Sequence, residues 1–144
     1  MIKLTTAKIV LFTALISMVN APSYAVTGEK PDARAVKRGA VLFQKNCAKC
    51  HGARGTGGIE IPPLIRGPGY LRPPALNDKE HAWHHTDEAI LKTILEGSPR
   101  TTQMPAWKNI IKKSEALDIV AYIKSLWGSR ELECQGPKHR TCKR

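Results

Sequence analysis

Cys47-Ala48-Lys49-Cys50-His51 is the stretch on which the reading of this chain turns. Two thiols three positions apart can each add to one vinyl group of a single haem, and the imidazole that follows at once can face its iron. Thioredoxin-like dithiols share the Cys-x-x-Cys spacing, but they need a strand before the pair and a βαβ surround. Here a helical pattern precedes the pair and a Gly-rich loop follows it. A structural zinc site would need a second tight pair. The remaining cysteines, Cys134 and Cys142, stand eight residues apart. The motif therefore reads as the attachment site of one covalent haem c through Cys47 and Cys50, with His51 as an axial iron ligand.

Upstream, Asp32 is placed to cap a helix over residues 30 to 49, in which Val36, Ala40, Phe43 and Cys47 recur at three- and four-residue spacing. Downstream, residues 51 to 74 are crowded with Gly and Pro and keep no helix or strand pattern. A structureless loop of that length inside a compact domain is expected to wrap something. Thr86 then caps a second helix, with Asp87 and Glu88 in its first turn, an apolar stripe of Ile90, Leu91, Ile94 and Leu95, and Gly97 at its end. A Pro-bearing loop spans residues 98 to 105, and residues 107 to 111 suit a short turn. Ser114 is expected to cap a third helix carrying Leu117, Val120, Ile123, Leu126 and Trp127, closed by Gly128. The fold class predicted is all-α: three main helices with long loops wrapping one covalently bound haem. Aromatics make up only 6% of the chain, so a core built from protein alone would be thin, and haem would supply the missing apolar bulk.

The 144 residues suit one domain. Lys3 and Lys8 precede an apolar run over residues 9 to 19, and Ser23 and Ala25 flank Tyr24, which predicts a secretory signal peptide over residues 1 to 25, cleaved after about Ala25. The run is well short of the ~20 apolar residues that span a bilayer. The expected organisation is a haem domain over residues 26 to 128 and a basic tail over residues 129 to 144. Losing Lys3 and Lys8, with no acids, lowers the formal charge from +11 to +9. Scattered basic residues without interleaved aromatics do not suit nucleic acid. They suit steering toward acidic or membrane-bound redox partners, with Lys49 and Arg54 next to the motif.

Carriers that keep iron six-coordinate need a second axial ligand. Met1 and Met18 fall in the signal segment, which leaves Met104, 53 residues past His51, in a loop held extended by Pro105. A thioether ligand favours Fe(II) and does not titrate near neutral pH. The rivals are His81, His84 and His85, any of which would give a bis-His haem of lower potential.

With these residues in place, the chain resembles the class I c-type cytochromes from about Asp32 to Trp127. Gly39 and Phe43, eight and four residues before Cys47, look like the family's N-terminal helix, where Gly lets the C-terminal helix cross closely and Phe packs at the crossing; Tyr122 and Leu126 suit the partner helix. The resemblance implies that a Pro carbonyl receives the His51 Nδ1–H, from either Pro62 (Pro62-Pro63-Leu64) or Pro74 (Pro74-Ala75-Leu76). It also implies that Trp83 reaches a haem propionate. The long loop after His51 and the tail depart from the family's minimal pattern. In an oxidising compartment Cys134 and Cys142 are expected to form a disulfide, the alternative being a copper or other metal site with His139. The function implied is that of a periplasmic monohaem one-electron carrier, not itself an enzyme. The alternatives are a dedicated cytochrome subunit of a dehydrogenase or oxidase complex and a five-coordinate haem sensor or peroxidase.

Overall fold

The computed structural model describes residues 28 to 142, so the predicted signal segment lies outside the described residues. Asp32 caps α1 (Ala33–Asn46), its carboxylate accepting the Ala35 amide at 2.9 Å. The chain continues almost without a break into the single turn α2 (Ala48–His51). After the long loop comes a 3-10 turn (His81–His84), then α3 (Asp87–Glu96) and α4 (Lys113–Ser125). The start of α3 is as the sequence predicts: Thr86 Oγ1 accepts the Ala89 amide, two acids occupy the first turn, and Gly97 closes the helix with φ +83°. The start of α4 differs. Ser114 lies inside the first turn, and the cap position is Lys112, whose amide donates to Glu115 Oε2 at 2.8 Å. A carboxylate three residues into the helix satisfies that donor in place of a hydroxyl. No strand occurs among the described residues.

The core sits where α1 crosses α4, the most extensive helix contact among the described residues. Phe43, Ala116, Ile119 and Val120 are wholly buried there, and Phe43 meets the Tyr122 ring at 4.9 Å. Gly39 makes the crossing possible, because a Cβ at that position would collide with the Asp118 backbone carbonyl. On the rim, Arg38 forks onto both carboxylate oxygens of Asp118 at 2.7 Å.

The expected polar tail is a folded part of this core. Gly128, predicted to end the third helix, instead precedes α5 (Ser129–Glu133), and a second 3-10 turn (Gly136–Arg140) follows. A disulfide joins Cys134 to Cys142, and Leu132 packs on the main core. Between them Gln135 is fully buried. Its Nε2 donates to Asp87 Oδ1 at 2.6 Å and to the His85 carbonyl at 3.1 Å, and its Oε1 accepts the Gly28 amide at 2.9 Å. Asp87 in turn pairs with Lys124 Nζ at 2.9 Å, and the Lys124 side chain has no exposed surface. A buried ion pair is tolerable only where further hydrogen bonds satisfy its atoms, which is what Gln135 does for Asp87.

Candidate haem-binding site

The thiol–imidazole motif is positioned by the junction of α1 and α2. The Cys47 amide donates to the Phe43 carbonyl at 2.8 Å, and the His51 amide to the Cys47 carbonyl at 2.9 Å. The helical course through this junction sets Cys47 and His51 one turn apart, with Cys50 between them. Gly52, at φ +77°, ends the turn. The loop then folds back: the Gly57 amide donates to the His51 carbonyl, the Gly58 amide to the Pro73 carbonyl, and the Leu76 amide to the Gly55 carbonyl, all at 2.8–2.9 Å. This return brings the Pro74 carbonyl to 3.0 Å from His51 Nδ1. Of the two prolines the sequence offers, the structure selects Pro74. Trp127 Nε1 clips the same return by donating to the Leu76 carbonyl at 2.8 Å.

A carbonyl can only accept, so His51 Nδ1 carries the proton and Nε2 keeps its lone pair. Burial holds the His51 pKa below its ordinary value, against the opposing pull of the Pro74 carbonyl. The ring is therefore a neutral donor at neutral pH, the state an axial ligand needs. Burial also pushes the Cys47 thiol up to about 11, with the neighbouring Cys50 adding to the shift. A working dithiol oxidoreductase requires the reverse, a thiol held below its ordinary value.

These side chains line a cavity of about 580 Å³, within the range of cofactor sites. Leu76, Ala82, Ile90, Ile94 and Ile123 supply apolar wall, and Met104 lines the same cavity. The Met104 loop is fastened to the end of α3. Its carbonyl accepts the Ser98 amide at 3.1 Å, and the Trp107 and Lys108 amides donate to the Ile94 and Leu95 carbonyls that the helix leaves free. Among the rival histidines, His81 and His85 reach the cavity. His84 does not; it stacks on His139 with ring centroids 4.2 Å apart and planes 8° from parallel.

Trp83 stands outside the cavity. Its ring is not part of the cavity lining. It packs edge-on against His84 at 4.1 Å, and the Arg130 guanidinium lies 5.5 Å from its centre. The folded tail packs against this ring, beside the cavity and not in its wall. The indole that reaches the cavity is Trp107, three residues after Met104, and with it come Arg72 and Glu80, joined in an ion pair. That spacing from Met104 was the only signal for Trp107. The copper alternative is removed, because Cys134 and Cys142 are spent in the disulfide. Among the described residues no group of three or more His, Cys, Asp or Glu side chains is arranged to hold a metal.

An all-helical fold around an apolar cavity, with a thiol pair, a Pro-buttressed imidazole and a thioether on its lining, defines a covalent haem protein. The chain belongs to the cytochrome c family, whose model matches residues 36–127. It is 33% identical over 106 residues to cytochrome c55X of Pseudomonas aeruginosa, covering 74% of this chain and 76% of that one. It is 30% identical over 99 residues to FixP, a cbb3-type cytochrome c oxidase subunit of Sinorhizobium medicae, covering 64% of this chain but only 30% of FixP. Cytochrome cL of Methylophaga aminisulfidivorans superposes with a TM-score of 0.52 at 28% identity, over 67% of this chain and 55% of that one. The cofactor is accordingly haem c, and the fold is the all-α cytochrome c fold.

Proposed function

We propose that the protein is a monohaem carrier that passes one electron at a time between exported redox partners, with thioethers at Cys47 and Cys50 and with His51 and Met104 as the axial ligands. The observation that carries this reading is the His51–Pro74 hydrogen bond at 3.0 Å within a cavity that Met104 also lines. When bound, haem c supplies a reversible Fe(III)/Fe(II) couple. The protein's own tasks are then few. Cys47 and Cys50 fix the group in place, Pro74 orients the His51 ring, and the α3 carbonyls hold the Met104 loop against the cavity. The apolar wall keeps water out, which favours the less charged iron state.

The working place proposed is the periplasm, after cleavage near Ala25. Its supports are the leader pattern in the sequence and the Cys134–Cys142 disulfide, a bond that persists in oxidising compartments. Catalysis is not required of the chain. Two protein ligands leave no open iron position, which speaks against the sensor or peroxidase reading. A second reading rests on FixP: the same haem domain serving as a fixed subunit of an oxidase-type complex. Chromatography of the native protein separates a free carrier from a complex-bound one.

The test of the site is a visible spectrum of the purified oxidised and reduced protein with pyridine haemochrome quantitation. One haem c per chain, and a weak far-red sulfur-to-iron(III) band when oxidised, is the expected result. One haem without that band would replace Met104 by His81 or His85, the two histidines that reach the cavity. No haem after expression with a working attachment system would overturn the reading.

A further inference from the structure

Residues 58 to 73 form a projecting loop that the haem site does not explain. Its two ends are pinned together by the Gly58 amide on the Pro73 carbonyl at 2.9 Å, and Tyr70 Oη donates to the Ile59 carbonyl at 3.1 Å. The loop is also clipped to the Met104 segment, where Gln103 Oε1 accepts the Leu71 amide at 2.9 Å. Despite this bracing, it turns aliphatic side chains outward: Leu64 is 98% exposed, Ile59 85% and Ile65 75%. Large aliphatic groups held this far into water by a braced loop are expected to have a non-aqueous destination.

We infer that this loop is a membrane-docking element, whose aliphatic tip enters the headgroup region of an anionic bilayer and sets the haem cavity beside the lipid surface. Three observations select a bilayer over a protein recess. The tip is aliphatic, whereas protein-binding hot spots favour Trp, Tyr and Arg and under-use Leu. The loop stands clear of other atoms, with nothing within 4 Å of a Cβ placed at Gly67 or Gly69, and a fluid interface needs no matching recess. The charge is also of the right sign: the formal charge is +11, or +9 without Lys3 and Lys8.

At the loop itself Arg66 and Arg72 are offset by Glu60 and Glu80, so the cations open to a headgroup are those at its base. Glu60 is the only acid between residues 58 and 73, and both Arg66 and Arg72 ion-pair with it. Lys49 and Arg100, both exposed and outside every ion pair among the described residues, flank the base of the loop. Lys49 precedes Cys50, whose carbonyl lies against Gly58; Arg100 is in the Gln103 segment. An apolar insertion combined with surface cations is the two-part arrangement that reversible membrane binding requires. Leu71 and Arg72 of the loop also line the cavity, so docking would bring the haem site to the membrane.

The experiment is co-sedimentation of the holoprotein with vesicles of phosphatidylcholine alone and of roughly 3:1 phosphatidylcholine to phosphatidylglycerol. Wild type and the double variant Leu64→Asp/Ile65→Asp are compared, and both positions are so exposed that folding is not at stake. The expected result is binding to the anionic vesicles only, weakened about tenfold or more in the variant. A Leu64→Trp protein should shift its emission to the blue on adding anionic vesicles. No binding by the wild type, or equal binding by wild type and variant, would overturn the inference. A variant that slows reduction of a protein partner in solution, while the wild type ignores vesicles, would overturn it in favour of a protein recess.

Discussion

At the residue scale, His51 shows how one hydrogen bond sets a chemical state. The Pro74 carbonyl fixes the proton on Nδ1, and burial keeps the ring neutral, so Nε2 is available without competition from protons near neutral pH. The choice between Pro62 and Pro74 could not be made from sequence, because each precedes the same x-Leu pattern. It is made by the Gly55 carbonyl, which holds Leu76 and Asn77 and so delivers Pro74. Met104 stood out in the sequence for a different reason: with the expected leader set aside, one methionine remained, in a loop, and the structure places it on the cavity lining. On the proposed ligation, Met104→Ala vacates an axial position. The oxidised protein should then bind cyanide or azide, lose its far-red band and fall in reduction potential, while haem stays attached at Cys47 and Cys50. Unchanged spectra and potential would remove Met104 from the ligand set.

At the element scale, the α1–α4 crossing was largely written in the sequence, since Gly39 and Phe43 keep helical register with Cys47. A small residue at a close helix contact is a steric necessity, and that makes it readable. Gly39→Ala places a methyl group against the Asp118 carbonyl, so the helices must part. The expected cost is about 3 kcal/mol, read as a lower urea midpoint of the holoprotein; a midpoint within error of wild type would show that the crossing is looser than described. The tail was illegible for the opposite reason. Gln135 and Lys124 are polar residues that sequence patterning assigns to the surface, yet both are wholly buried. The three-dimensional pairing of Lys124 with Asp87, and of Asp87 with Gln135, helps make that burial tolerable. The same docking of the tail sets Arg130 and His139 around the Trp83 ring, outside the cavity wall.

At the scale of the whole molecule, the histidines give stability a direction in pH. His84 and His85 are both held below their ordinary value of 6.5, mainly by burial, with the positive charges of neighbouring histidines adding to the effect. Between the lowered values and 6.5 the unfolded chain binds more protons than the folded one, so stability is greatest above pH 6.5 and falls as the pH drops through that range. The melting temperature should therefore decline on acidification from pH 7 to 5, and His84→Gln should make the decline shallower. An identical slope in the variant would assign the acid sensitivity to other groups. The side-chain amide of Gln135 also holds Gly28 to a point 107 residues further along the chain. The path between them thus closes on itself like a clasped bracelet. Any segment grafted ahead of Gly28 and any grafted behind the Cys134–Cys142 bridge would leave from neighbouring points. A unit built this way can be spliced into a longer polypeptide as a cassette, with both seams on one side and the cavity walls left intact.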